Sequence, residues 1–128
     1  MVDDEPIILT AMEHALVRQG YQVLRAGDGV EALAQFTSHD GVVRAVVTDL
    51  MMPLMNGTTF CRLLHRLSPA TPVIVSTGGL DGEAGEAVAH TLAKLGVRRI
   101  LSKPHGAEAL LTALHEVLTG TGAALVGK

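Results

Sequence analysis

Three aspartates, a threonine and a lysine carry the chemistry available to this sequence: Asp3 and Asp4, then Asp49, Thr77 and Lys103. Asp49 follows the apolar run Ala45-Val46-Val47-Thr48, and Thr77 follows Val73-Ile74-Val75-Ser76. Singly each is ordinary, since acidic pairs are usually solvated, an Asp after a strand is commonly a cap, and Lys103-Pro104 reads as a turn. Their joint placement at strand ends is what points to a site, because open α/β sheets bind ligands outside the carboxyl ends of their strands. Adjacent carboxylates repel and raise one another's pKa unless a cation or a lysine offsets them. Converging hard oxygens with few other donors suit Mg2+, which retains waters and is completed by a phosphate. A carboxylate such as Asp49 can accept a phosphoryl group as an acyl phosphate. Thr77 and Lys103 would then hold the transferred oxygens by hydrogen bonding and charge.

The elements needed to bring these residues together are legible as two alternating hydrophobic periods. Ile8, Ala11, Met12, Ala15 and Leu16 recur at helical spacing and stop at Gly20, and Tyr21–Ala26 reads as a short strand closed by Gly27-Asp28-Gly29. A helix is expected from about Val30 to Ser38, with Val30, Leu33 and Ala34 inward, then a doubly buried strand over 45–48. Phe60, Leu63, Leu64 and Leu67 form an amphipathic helix after Asn56-Gly57, and Pro72 introduces the next buried strand. Val88, Leu92 and Leu95 mark a further helix ending at Gly96, residues 97–101 a last strand interrupted by Arg98 and Arg99, and Leu110 to Leu118 a last helix ended by Gly120. Single helices between strands mean right-handed βα units. The expected fold is α/β, a flavodoxin-like doubly wound (βα)5 unit. Its parallel five-stranded sheet runs in order 2-1-3-4-5, with helices on both faces. Only Met1 and Val2 precede the aspartates, so the first strand is expected either to be shortened or to begin upstream. Residues 1–120 form the expected domain and 121–128 a short flexible tail.

Composition narrows the class. A chain of 128 residues is one domain by size. Its formal net charge of -3 supplies no basic excess to neutralise nucleic-acid phosphates. No apolar run is long enough to span a bilayer, and Asp3-Asp4-Glu5 sits where a signal peptide would be basic and then apolar. With one cysteine, Cys61, no internal disulfide is available, so a cytoplasmic protein is expected. There is no GxGxxG or P-loop.

Val2-Asp3-Asp4-Glu5-Pro6, Asp49-Leu50-Met51-Met52-Pro53-Leu54-Met55-Asn56-Gly57, Ser76-Thr77-Gly78 and Lys103-Pro104 follow in an order and spacing that resembles the receiver domain of two-component response regulators. The likeness runs from Val2 to about Leu118, and its central D-L-M-M-P-x-M-x-G stretch is the most specific part. It implies a CheY-like fold in which Asp49 accepts a phosphoryl group from a histidine kinase or a histidine phosphotransfer protein. It implies a Mg2+ ion held by Asp4, Asp49 and the Met51 carbonyl, with Asp3 acting through a water. Thr77 would follow the phosphoryl group inward, Lys103 would pair with it, and the Lys103-Pro104 peptide is expected to be cis. Such a chain is a switch, not an enzyme beyond its own phosphorylation and dephosphorylation. It acts on a downstream protein through the face formed by its fourth helix, last strand and last helix. A homodimer is one assembly of that kind.

The sequence departs from the family where a Tyr or Phe usually stands three residues before the lysine. Ile100 occupies that place, so a ring-flip readout has no ring, and Ile100 is expected to show its outer face to a partner or to water. Gly79, two residues beyond Thr77, stands where the family tunes phosphoryl lifetime, in a loop made flexible by Gly78-Gly79 and Asp81-Gly82. His14, His39, His65, His90, His105 and His115 are scattered without metal-ligand spacing, and His105 reads as a loop residue. Cys61 reads as core, Met51 and Met52 as loop packing, and Arg25, Arg98 and Arg99 as solvated. Against the switch stand a phosphorylation-independent interaction module, which Ile100 favours, and a flavodoxin-like cofactor binder, which lacks a phosphate-binding loop. The terminal receiver of a hybrid histidine kinase is a further parent for the same domain.

Overall fold

The computed structural model describes residues 1–39, 41–52, 54–78 and 82–119. Pro53, Gly79, Asp81, Gly120 and the expected tail 121–128 lie outside the described residues. The chain order is α1 (Pro6–Arg18), α2 (Gly29–Ser38), β1 (Val46–Thr48), α3 (Gly57–Leu67), β2 (Val73–Thr77), α4 (Gly82–Lys94), β3 (Val97–Ser102) and α5 (Ala107–Thr119).

The strands form a parallel sheet in the order β1-β2-β3. Val46, Val47 and Thr48 pair with Val73, Ile74 and Val75. β2 meets β3 with a register shift between Val73 and Ile74, after which Thr77 lies opposite Ser102. Side chains alternate across a strand, so this one sheet feeds two cores. Val46, Val73 and Val75 face a cluster with Ala32, Phe60, Leu64 and Leu92 from α2, α3 and α4. Val47, Ile74 and Leu101 face Leu16, Leu110, Leu114 and Val117 from α1 and α5. Helices on both faces match the expected doubly wound class.

The expected first two strands are present only as single bridges. Val2 pairs in parallel with Ala26 on one side and Thr48 on the other. Tyr21–Ala26 is therefore not a strand, because a ladder needs partner backbone along its length and only the short Met1–Asp3 segment lies beside it, bonded to Leu24 and Ala26. The five-strand order is thus not formed as continuous ladders. A cavity of about 670 Å³ lies beside Val2, lined by Val23, Leu24, Phe36, Val43, Ala45 and Leu114 among others.

Local chemistry sets the helix starts. Asp28 caps α2 by accepting the Glu31 N–H at 2.8 Å, while the Glu31 side chain accepts the Gly27 N–H at 2.7 Å. Asn56 caps α3 through the Thr59 N–H at 2.9 Å. Within α2 the inward residues are Ala32, Leu33 and Phe36, whereas Val30 and Ala34 are exposed. The buried stripe runs through Gly29, Ala32, Leu33 and Phe36, offset from the expected one because the face a helix buries is the one it turns to the sheet, which spacing alone does not set. Ile100, expected to face outward, is half-buried against the α2–α3–α4 cluster.

Cys61 is fully buried, as its place in α3 led one to expect, and burial pushes its thiol up to about 12. The stability gained by burying the neutral thiol is present below its ordinary value and lost as pH rises toward the elevated one. Native protein in mildly alkaline buffer should therefore alkylate at Cys61 only as fast as it opens, and denaturant should release that labelling.

Gly57 is required by close approach. A Cβ there would lie 2.4 Å from the Leu50 Cα and 2.5 Å from the Asp49 carbonyl oxygen, while the Gly57 N–H donates to the Leu50 carbonyl at 2.7 Å. Gly57→Ala should lower stability by about 1–3 kcal/mol, measured as a lower urea midpoint.

Candidate functional site

The ends of the bridge residue and of the three strands converge on one rim. Val2 places Asp3, whose N–H donates to the Ala26 carbonyl at 3.1 Å, and the Asp49 N–H donates to the Val2 carbonyl at 3.0 Å. β2 ends at Thr77 and β3 at Ser102, and the Lys103 N–H donates to the Thr77 carbonyl at 2.9 Å. Sheet geometry thus delivers Asp3, Asp49, Thr77 and Lys103 from separate elements to one place.

Asp3 and Asp49 are both buried. One oxygen of each accepts from the same ammonium: Lys103 Nζ lies 2.9 Å from Asp3 Oδ2 and 2.9 Å from Asp49 Oδ2. The other oxygens are held by backbone. Asp49 Oδ1 accepts the Leu50 N–H at 2.7 Å and the Met51 N–H at 3.1 Å, and Asp3 Oδ1 accepts the Glu5 N–H at 3.0 Å. Each buried carboxylate therefore meets both a charge and amide donors.

Asp4 and Glu5 are exposed at the same rim. Asp3, Asp4, Glu5 and Asp49 each offer a carboxylate oxygen, all lying within 4.8 Å of one another. Glu5 also stands 3.8 Å from Lys103 Nζ. Glu5 joins the residues expected from the sequence, and its adjacency to Asp3-Asp4 is the signal for it. Four carboxylates thus face one ammonium, an imbalance that favours a further cation. The donor set is all oxygen, which fits a hard divalent ion such as Mg2+.

The other candidates are placed as follows. Thr77 is buried at the end of β2, and its hydroxyl donates to the Gly78 carbonyl at 3.3 Å. Met51, expected to pack its loop, is instead 74% exposed, while Met52 packs against the core. The Leu50 and Met51 N–H groups both donate to Asp49, but the two successive side chains part, Leu50 into the core and Met51 into solvent. Leu54 in the same loop adopts φ 69°, the left-handed region that costs a residue with a Cβ about 1–2 kcal/mol. The Lys103-Pro104 peptide is cis, as expected. A cavity of about 430 Å³ opens beside the cluster, lined among others by Asp3, Ile8, Asp49, Ser76, Lys103 and His105. Away from the site, Arg25 pairs with Glu13 at 3.1 Å and Arg99 with Glu116, so of the three arginines read as solvated only Arg98 is simply exposed. No helix among the described residues is long and apolar enough to cross a membrane.

Helices on both faces of a parallel sheet, with a carboxylate pair, a further aspartate, a threonine and a lysine at the strand ends, define the CheY-like receiver class. The family model for the response regulator receiver domain matches residues 1–115, and the chain belongs to that family. It is 32% identical over 118 residues to the sensory transduction protein RegX3 of Mycolicibacterium smegmatis, covering 92% of this chain and 49% of that one. It is 36% identical to the sensor kinase CckA of Brucella abortus, covering 92% of this chain and 12% of that one. The chain therefore spans half or less of these curated relatives. Among solved structures it resembles a response regulator receiver domain from Clostridium thermocellum, with TM-score 0.81 and 30% identity, covering 92% of this chain and 90% of that one. It is a receiver domain of two-component response regulators.

Burial works against the charge on Lys103. Hydrogen bonds to Asp3 and Asp49, with the charges of both, outweigh it and hold the ammonium above the usual lysine value. That contribution to stability is present below the ordinary lysine pKa and disappears as pH rises through the elevated one. Urea melts of the wild type should lose stability in that alkaline window, and Lys103→Met should lack the loss. At neutral pH the same variant should be less stable by about 1–3 kcal/mol, because two buried carboxylates lose their shared partner.

Proposed function

We propose that Asp49 takes a phosphoryl group from the phosphohistidine of a histidine kinase or histidine phosphotransfer protein, in a Mg2+-dependent reaction that switches a protein-interaction surface. The observation that carries this reading is the single ammonium of Lys103 at 2.9 Å from both Asp3 and Asp49 on the strand-end rim. In the transfer a carboxylate oxygen of Asp49 forms the new O–P bond as the P–N bond to the donor imidazole breaks, and the imidazole leaves with the electron pair. The Leu50 and Met51 amides fix the orientation of the attacking carboxylate. Lys103 already stands where negative charge would accumulate on the transferred oxygens. Thr77, one strand over and tied to Lys103 through the backbone, is the neighbouring hydroxyl that such oxygens would draw.

The acidic group fits Mg2+, with Asp4, Asp49 and the Met51 carbonyl as protein ligands, Asp3 through a water, and Glu5 at the rim. When bound, the ion would supply positive charge to offset that of the phosphoryl oxygens. Phosphorylation adds roughly −1.5 to −2 charge to the rim. Inverting a 1:99 population needs about 5.5 kcal/mol of preference for one state. Lys103, Thr77 and the ion are the sources on hand, and the face of α4, β3 and α5 is the surface they would bias toward a downstream protein or a second copy. The chain is then a cytoplasmic switch whose catalysis is confined to its own phosphorylation and dephosphorylation. A phosphorylation-independent module has less support, since the Asp, Thr and Lys set is intact. The similarity to a sensor kinase favours a second context for the same chemistry, the receiver of a hybrid histidine kinase.

With Mg2+ and a small acyl phosphate, intact-mass measurement should show one added phosphoryl group. The gain should vanish in Asp49→Asn, and Asp4→Ala should require roughly tenfold more Mg2+ for the same yield. A gain that persists in Asp49→Asn would overturn the assignment, and no gain in the wild type would favour the phosphorylation-independent module.

A further inference from the structure

We propose that Ser76 and His105 form a side-chain brace that positions Lys103. Ser76 is the next-to-last residue of β2, directly before Thr77, and it is buried. A buried hydroxyl needs a partner. Here the partner is His105 Nε2, at 2.5 Å. The other ring nitrogen, Nδ1, lies 3.2 Å from the Gly106 carbonyl, which can only accept. In the neutral ring Nδ1 therefore carries the proton, and the lone pair of Nε2 accepts the Ser76 hydroxyl.

The brace matters because of where it falls. β3 ends at Ser102, so Lys103 lies just past the last ladder position. One backbone bond, from the Lys103 N–H to the Thr77 carbonyl, holds the near end of the segment to β2. The Ser76–His105 bond is a second tie between the same two elements, two residues further on. Lys103 has a long flexible stem, yet its Nζ must meet two carboxylates together. A main chain fixed on both sides of its Cα restricts the swing of that stem. Ser76 and His105 also line the cavity that Asp3, Asp49 and Lys103 share. His105 is thus a loop residue, as expected from sequence, with a specific partner that spacing alone does not reveal. It acts through Lys103 and is a positioning residue. The inference rests on the reading that Lys103 serves transfer to Asp49.

The test compares Ser76→Ala, His105→Phe, the double variant, and the conservative Ser76→Thr and His105→Gln, all in the full chain. Acyl phosphate and Mg2+ drive phosphorylation, read by intact mass over time. The single losses should slow transfer about fivefold, the worth of one hydrogen bond, without changing the Mg2+ concentration for half-saturation. The double variant should be no slower than either single, and Ser76→Thr and His105→Gln should recover most of the rate. Wild-type rates in both single variants, additive losses in the double, or failure of the conservative variants to recover would each overturn the brace. Should His105→Phe fail to fold, Ser76→Ala and Ser76→Thr decide alone. The 15N resonance of Lys103 Nζ gives a reading that needs no transfer: it should move alike in Ser76→Ala and His105→Phe and stay put in His105→Gln. A wild type that takes no phosphoryl group would defeat the phosphoacceptor reading, while the Nζ resonance still judges the brace.

Discussion

One ammonium shared between two buried carboxylates is the contact around which this domain is arranged. Asp3 and Asp49 lie side by side at the ends of neighbouring backbone segments, where two unpaired like charges would be costly. Lys103 reaches both from a third element, one hundred residues from Asp3 in sequence. The rest of the rim serves that contact. The Leu50 and Met51 amides take the second oxygen of Asp49, and the Glu5 amide that of Asp3. Gly57 lets the loop after Asp49 fold back against its own backbone, where any side chain would collide. Thr77 hands its carbonyl to the Lys103 amide.

The sheet explains why so few residues suffice. A parallel sheet brings the carboxyl ends of all its strands to one edge, so distant residues become neighbours without any dedicated scaffold. Alternation along β1 and β2 sends Val46, Val73 and Val75 to one core and Val47 and Ile74 to the other. The ends that carry Asp49 and Thr77 are thus fixed from both faces. Precision at the rim follows from packing beneath it, not from rigidity of the loops that hold the side chains.

Most of this was legible in the sequence wherever a pattern has a single physical meaning. Apolar runs without alternation mark strands buried on both faces, and β1 and β2 lie where Val46-Val47 and Val73-Ile74-Val75 placed them. Asn56-Gly57 marked the start of α3, and motif order assembled Asp3, Asp49 and Lys103 correctly. What was not legible depended on partners. Tyr21–Ala26 has strand composition, but a strand exists only where a neighbour offers backbone, and Val2 offers one rung. Spacing alone points Val30 and Ala34 inward, whereas the face a helix buries depends on how it is rotated on the sheet. Met51 faces outward while its neighbour Leu50 enters the core, a difference no spacing in this short loop specifies. Ser76 lies within a motif, but its tie to His105 does not, since a contact between these two elements leaves no spacing to detect.

The charge balance of the rim completes the physical picture. Lys103 satisfies Asp3 and Asp49 through one oxygen each, yet Asp4 and Glu5 leave the cluster negative overall. A site in that condition is stable enough to fold and is not electrostatically closed. Its negative surplus favours a further cation, and its lysine, held by contacts to two separate carboxylates, has donors that a new anion would redirect. On the proposed reading, a phosphoryl group on Asp49 is that anion, and both responses follow from the resting geometry. Lys103 then need travel little, because it already touches the atom that changes. On the same reading any further displacement would fall on β2 and β3, whose ends are joined through Thr77 and Lys103. Ile100 on β3 supplies no ring to swing, and it is packed against the α2–α3–α4 core. Any signal leaving the rim along β3 therefore moves packed backbone and aliphatic side chains together, and the surface it reaches is the one α4 and α5 share with that strand.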